Sequence, residues 1–391
     1  MSKYYKIAIY TICKNESKFV EKWFESMSEA DYICVLDTGS EDNTYELLHQ
    51  MKEKYESLPD DDPRKCKVFL GQQVYIPWRF DVSRNDSLKL CPEDTDIFMS
   101  TDLDELLQPG WAKPLREKWD PDKYERAMYR YTWSHLNNGA PGRIFNYDKI
   151  HGKHMLWKFP VHECLCHEEN LSTTFQMSKY LDLRNDIMLE HWPDKTKSRG
   201  SYLPLLELRA KEYPEDTWGL MYLAHEYSYR KMYTKSIDVI NDIISRKEYP
   251  TFTPVERSSC YLFRGDDYKA LGDESKALAD YNEALKIDPT LREPYLKIAS
   301  LFVDMKLYDA AIEFAKKAIE KGVRHYSWIE KDHSWSFEPY DIMAIAAFYG
   351  GHKRDALAYA TKAYSYDSEN QRLKDNIESI LKNSTELELI K

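Results

Sequence analysis

Aspartates two residues apart recur in this chain, at Asp60/Asp62, Asp94/Asp96, Asp102/Asp104 and Asp120/Asp122. Among 66 acidic residues the spacing alone says little. Asp102-Leu103-Asp104-Glu105 differs because it directly follows an apolar run, Ile97-Phe98-Met99, that reads as a strand. An open α/β sheet presents its ligands beyond the carboxyl ends of its strands. Two carboxylates leaving a strand end, with alternate residues on one side, suit a hard divalent cation such as Mn²⁺ or Mg²⁺. The competing reading is a solvated acidic turn that caps the next helix.

The elements that must position this pair are legible upstream. Strand-like Lys6–Ile12, Tyr32–Asp37, Cys66–Leu70 and Ile97–Thr101 alternate with helical Ser17–Ser28 and Asn43–Tyr55, a βαβ pattern that predicts a mainly parallel sheet. Polar residues collect at successive strand ends: Thr11-Ile12-Cys13-Lys14-Asn15-Glu16, then Asp37-Thr38-Gly39-Ser40-Glu41-Asp42-Asn43-Thr44. A third group, Arg79-Phe80-Asp81-Val82-Ser83-Arg84-Asn85, precedes the Asp-x-Asp strand. A parallel sheet builds nucleotide sites at such places.

Taken together, Lys14-Asn15-Glu16, Asp37-Thr38-Gly39-Ser40 with Asp42 and Thr44, Arg84-Asn85 and Asp102-Leu103-Asp104-Glu105 resemble family 2 glycosyltransferases of the GT-A fold, over most of residues 5–195. The resemblance implies that Asp37 holds the base or ribose of a nucleotide-sugar, with Thr11, Asn15, Glu16, Arg84, Asn85 and Arg143 also on the nucleotide side. It implies that Asp102 and Asp104 bind nucleotide and metal. Arg143-Ile144-Phe145, Pro160-Val161-His162-Glu163 and Leu189-Glu190-His191-Trp192 are similar to later segments of a subgroup. By that analogy Glu163 is the general base, with Glu105 and Glu190 as competitors, and His191 completes the metal or pyrophosphate shell. An inverting displacement needs such a base on the acceptor and a cation on the departing diphosphate. An ordinary hydrogen-bonded core histidine is the alternative for His191.

Another constellation, His151, His154, His162, Cys164, Cys166 and His167, falls within 17 residues. Zinc knuckles present Cys-x₂₋₄-Cys, whereas Cys164-x-Cys166 between apolar neighbours reads as one face of a strand. Trp78, Tyr131, Trp133 and Trp157 could stack on a sugar or base, or simply pack.

After residue 200 the strand signal ends and a repeat begins. Gly265, Tyr268, Ala277, Tyr281, Ala284 and Pro289 stand at offsets 0, 3, 12, 16, 19 and 24. Ala299, Phe302, Ala311, Ala315 and Ala318 repeat the first five offsets 34 residues later. Ala224, Tyr227, Ser236, Ile240 and Ile243 fit the frame, as do Ala344, Ala347, Ala356, Ala360 and Ala363. The pattern resembles tetratricopeptide repeats, four units over about 218–370, with Asn370–Lys382 as a capping helix. Small residues at offsets 0, 12 and 19 let paired helices approach closely. An insertion before the last unit carries Arg324, His325, Tyr326, Trp328 and Trp335, suited either to binding or to packing.

The expected architecture is an α/β GT-A-like, Rossmann-like domain over residues 1–200 and an all-α solenoid over 201–391. The expected activity is metal-dependent, inverting transfer from a nucleotide-sugar, a UDP-sugar by resemblance, to a peptide or saccharide acceptor. Two alternatives remain: a tetratricopeptide adaptor whose first domain binds a nucleotide-sugar without turnover, and a sugar nucleotidyltransferase. The latter would carry a Gly-rich loop after the first strand, where this chain has Lys14-Asn15-Glu16-Ser17. A net charge of −11 argues against nucleic acid as main partner. Lysines interrupt the first residues and no run reaches the ~18 apolar residues of a membrane span, so a cytoplasmic protein is expected. Seven scattered cysteines fit reduced thiols. Homo-oligomer formation is left open.

Overall fold

The computed structural model describes residues 4–135, 139–169, 171, 179–194, 202–247, 249, 252–327 and 329–385. They divide into two compact units, Met1–Ser134 with Ile144–Arg209 and His135–Arg143 with Ala210–Lys391. The expected break at 200/201 falls outside the described residues.

In the first unit, β1 (Ile7–Cys13), β2 (Tyr32–Asp37), β3 (Lys67–Gln72) and β4 (Ile97–Ser100) alternate with α1 (Val20–Met27), α2 (Thr44–Glu56) and α3 (Phe80–Leu88). Then follow β5 (Glu105–Leu107), α4 (Ala112–Lys118), β6 (Arg126–Thr132), β7 (Ile144–His151), β8 (Met155–Lys158), β9 (Cys164–His167), β10 (Tyr180–Asp182) and β11 (Met188–His191). The main sheet runs β3-β2-β1-β4-β7-β6-β11-β5, with β10 on β6. It is a mixed sheet, in which, among the described residues, only β7 and β5 run against the other strands. The strands β3, β2, β1 and β4 are parallel, because β2, β3 and β4 are each reached through a helix that returns the chain to the same end of the sheet. Beyond β4 this crossover pattern stops: β7 is antiparallel to β4 and β6, and β5 to β11.

β1 lies between β2 and β4 and is buried along its whole length, as a strand covered on both faces must be. Alternation sends Ile7 and Ile9 to one face, with Ile33, Val35 and the Val20, Trp23, Phe24 and Met27 stripe of α1. Ala8 and Tyr10 go to the other, with Tyr32, Cys34, Met155, Trp157 and Leu165. The antiparallel β8–β9 hairpin is therefore a cover on the sheet, and its connecting loop carries Glu163. The first helix starts later than expected. The N–H groups of Glu16 and Ser17 are taken by Thr44 Oγ1 and Asp42 Oδ2 instead of a helical turn.

The second unit follows the predicted repeat. Its helix pairs are α6 (Thr217–Tyr229) with α7 (Tyr233–Ser245), and α8 (Pro254–Ala270) with α9 (Glu274–Ile287). α10 (Arg292–Asp304) pairs with α11 (Tyr308–Lys321), and α12 (Glu338–Tyr349) with α13 (Lys353–Tyr366). α14 (Gln371–Lys382) follows them, and α5 (Tyr202–Glu212), which precedes them, belongs to the first unit as far as Arg209. Every residue at offsets 0, 12, 16 and 19 is buried in all four pairs. Ile380 of α14 joins Ala344, Ala356 and Ala360, which is the capping contact. The insertion packs within its own unit: the Arg292 guanidinium lies 3.8 Å from the Trp335 ring centre, and His325 Nε2 meets Thr290 Oγ1 at 2.9 Å. Trp328 lies outside the described residues.

One pair of offsets is locked together. Tyr281 at offset 16 replaces the Ala315 and Ala360 of later repeats, and a Cβ on Gly265 would stand 2.6 Å from its ring. Tyr281 is fully buried and cannot swing away. Gly265→Ala is therefore expected to destabilise by about 1–3 kcal/mol, although alanine is the residue at the equivalent position in the other three repeats. Thermal or denaturant unfolding of the variant checks this; an unchanged midpoint would contradict it.

Candidate active site

The ends of β1 and β2 are tied into one loop system. Asn15 has φ +54° and receives the Glu41 N–H on Oδ1 at 2.7 Å, while its own N–H donates to Ser40 Oγ at 2.9 Å. Thr38 N–H and Oγ1 both donate to the Cys13 carbonyl. Asp37 is fully buried, and its Oδ1 accepts from Gly39 N and Ser40 N at 3.0 Å each and from Gln72 Nε2 at 3.3 Å. The carboxylate expected on a base or ribose thus organises its own turn, accepting the half-buried N–H groups of Gly39 and Ser40. Thr11 is likewise fully buried, donating to the Ile12 carbonyl. Glu16 is half-buried beside this system, its N–H on Thr44.

The next group centres on Arg84, whose side chain is 5 % exposed. α3 aims its guanidinium at the end of β4: Nη1 donates to Ser100 Oγ at 3.1 Å, Nη2 to Asp102 Oδ1 at 2.8 Å, and Nε to Glu163 Oε1. Its planar face covers the Trp157 ring at 5.4 Å. One buried cation therefore joins the strand-end carboxylate to the hairpin-loop carboxylate. Burial alone would lower the Arg84 pKa, but Asp102 and Glu163 hold it well above its usual value. Asp102 remains 38 % exposed. Burial raises its pKa, and Arg84 and Lys149 outweigh that to hold it well below the usual carboxylate range.

Lys149 is a residue that motif reading missed. From β7 its ammonium sits 3.7 Å from Asp102 Oδ2 and 3.5 Å from Glu105 Oε1, on the Tyr147 ring face. Its signal in the sequence is faint: a lone lysine between Tyr147 and His151 at period 2 looks the same whether it faces core or solvent. Glu105 is 1 % exposed, accepting from Tyr131 OH at 2.7 Å and from Asp102 N at 2.9 Å, so it no longer competes as a base. Asn85 also differs from expectation. Its amide pairs both ways with the Trp157 backbone, at 2.8 and 2.7 Å, fastening α3 to β8 instead of facing a nucleotide.

Beyond β4, Asp104 meets the end of β11: its Oδ2 lies 3.3 Å from His191 Nε2, and its carbonyl accepts the Trp192 N–H at 2.7 Å. His191 Nδ1 is 3.1 Å from the Trp133 carbonyl, which can only accept, so Nδ1 carries a hydrogen. Nε2 of a neutral ring would then turn a lone pair toward a carboxylate oxygen. A proton or a metal cation between them resolves that opposition, and an imidazole nitrogen with a carboxylate oxygen is a suitable donor pair for Mn²⁺. Asp102, occupied by two protein cations, fits the metal role less well. Among the described residues no group of three or more His, Cys, Asp or Glu side chains forms a metal-binding set.

Asp102, Asp104, Arg84, Glu163 and His191 thus belong to the first unit, whereas Arg143 falls in the second. Glu190 is half-buried on β11 and receives Gln108 Nε2 at 3.2 Å. Of the aromatic residues, Trp157 donates to Tyr10 OH and is buried, Trp133 lies against His191 with ring centres 4.7 Å apart, and Trp78 packs edge-on to Phe80. His151 is held by Tyr10 OH at 2.8 Å and the Gly152 carbonyl at 2.7 Å, and burial pushes its pKa down to about 3. Cys164 and Cys166 alternate along β9.

Comparison with known proteins finds tetratricopeptide repeats at residues 258–291 and 293–320. No curated protein matches the chain. Among solved structures, a thermophilic TPR protein of Thermus thermophilus is 19% identical, matched over 46% of this chain and 88% of that one, with a TM-score of 0.35. The MamA protein is 16% identical over 44% of this chain and 83% of its own, TM-score 0.33. The TPR domain of Arabidopsis OM64 is 18% identical over 34% and 99%, TM-score 0.29. The chain has two units, a mixed-sheet unit and a helical unit that contains the tetratricopeptide repeats.

For His191 burial works against the charged ring, and Asp104 outweighs it, raising the pKa above its ordinary 6.5. Being raised, this pair contributes stability that is complete below about 6.5 and is lost as pH rises through the folded value. An NMR titration should find His191 charged to above 6.5, and Asp104→Asn should bring the midpoint down. A wild-type midpoint at or below 6.5 would contradict the pairing.

Proposed function

We propose that the first unit is a metal-dependent glycosyltransferase similar to the family 2, GT-A enzymes, transferring a sugar from a nucleotide-sugar, by resemblance a UDP-sugar, to a peptide or saccharide hydroxyl. The observation that carries this reading is the gathering of Arg84, Asp102, Asp104, Glu163 and His191 at one end of the first unit's strands. These are the residues whose motifs suggested the chemistry. Glu163 Oε1 is held by Arg84, and among the described residues Oε2 makes no hydrogen bond, which leaves it to accept the acceptor's hydroxyl proton. Asp104 and His191 would hold a divalent cation, which supplies positive charge to the diphosphate as it leaves. The acceptor oxygen then bonds to the anomeric carbon as the bond to the nucleoside diphosphate breaks, with inversion.

Tetratricopeptide repeats support a protein partner for the second unit. No described helix is long and apolar enough to cross a membrane. The adaptor reading is favoured by a separate observation: Asp102 and Glu163, the two acids on Arg84, already neutralise a protein cation without any ligand.

A panel of nucleotide-sugars with Mn²⁺, scored for release of the nucleoside diphosphate, separates the two. The transferase reading expects turnover with one donor class and a loss on the order of 100-fold in Asp104→Asn. Turnover that survives the substitution removes Asp104 from the mechanism, and binding of a donor with no release of its nucleoside diphosphate leaves the adaptor.

A further inference from the structure

The loop that presents Glu163 is backbone-strained. Phe159 has φ +84° and His162 φ +49°, left-handed values that cost of order 1–3 kcal/mol each for residues with a side chain and persist only where the surroundings impose them. Two contacts impose them here. Phe80 N–H at the start of α3 donates to the Pro160 carbonyl at 3.0 Å. From the other side Arg209 of α5, fully buried, donates through one nitrogen, Nη1, to the carbonyls of Val161 at 2.9 Å and His162 at 2.7 Å. Its guanidinium face lies 3.8 Å from the Phe159 ring centre. Four consecutive links of the loop before Glu163 are thereby held by two helices.

We propose that Arg209 is a positioning residue for Glu163: it touches neither donor nor acceptor and acts by holding Val161 and His162 in the one backbone shape that brings Glu163 Oε1 onto Arg84 Nε. The proposal rests on the glycosyltransferase reading for its catalytic consequence and on geometry for its structural one. A buried guanidinium aimed at carbonyls is an expensive device for holding a loop, because burial disfavours its charge. Two carbonyl acceptors and an aromatic face help to offset that burial. The arrangement fixes the loop to within the tolerance that proton transfer demands, where a misplacement of ~1 Å lowers rate on the order of 100-fold.

The test uses the full chain with Arg209→Met, which keeps the side chain's length and removes its donors, and Arg209→Lys, which keeps the charge if the first variant does not fold. A crystal structure of Arg209→Met should show the Val161–Glu163 backbone displaced, His162 at negative φ and the Arg84–Glu163 contact broken, with β8 and β9 in place, whereas Arg209→Lys, whose ammonium can still donate to both carbonyls, should keep the loop. In sugar transfer kcat of Arg209→Met should fall on the order of 100-fold with the donor KM unchanged, and on a Glu163→Gln background the same substitution should bring no further loss. A loop that stays in place in the Arg209→Met crystal or is displaced in Arg209→Lys, or losses that multiply in the double variant, overturns the proposal. If the wild type releases no nucleoside diphosphate from any donor, the glycosyltransferase reading fails, while the crystal structure still decides whether Arg209 sets the loop.

Discussion

A guanidinium removed from water and shared by two carboxylates is the constraint on which the first unit's geometry depends. Desolvating Arg84 opposes folding, and its three hydrogen bonds to Ser100, Asp102 and Glu163 return enough only if all three partners arrive in register. That requirement reaches through the unit. β4 must end at Ser100, α3 must turn Arg84 inward, and the β8–β9 hairpin must lie on the sheet face beside Tyr10. Asn85, one residue on, clamps the same hairpin by its backbone. The neighbouring Lys149 then stands between Asp102 and Glu105, so anions and cations alternate along the strand ends. Such alternation is how a protein keeps several charges close together without water.

The parts of this legible in the sequence are those fixed by local rules. β1, β2 and β4 were each an apolar run ending in a polar cluster, and burial on both faces of β1 and β2 makes such runs continuous. The motif residues do gather, but several serve the loop rather than a ligand. Asp37 and Asn15 have the residue types of a binding site, yet the backbone N–H groups of residues 39–42 claim their oxygens first. Residue type cannot reveal that competition, because it depends on which backbone groups the turn leaves unpaired. The far side of the sheet was illegible for a related reason: β5, β10 and β11 span three or four residues each, too short for a period to register, and β10 and β11 join β6 from more than 45 residues away in sequence.

The repeat unit is the opposite case. Helices that approach closely need small residues at fixed offsets, and that need writes the same frame four times, down to the buried positions. Where the frame is broken the reason is packing: Gly265 answers Tyr281, and the aromatic insertion turns back on α10 through Trp335 and Arg292. The binding role weighed for that insertion loses those side chains to internal contacts.

The central claim, that Arg84 joins Asp102 to Glu163, is tested most directly by a double-mutant cycle on unfolding free energy with Arg84→Met, Glu163→Gln and both together. The account predicts that Arg84→Met alone, which strands a mostly buried carboxylate, destabilises by about 3–5 kcal/mol, and that adding Glu163→Gln recovers a large part of it. Simple additivity of the two substitutions would contradict the claim.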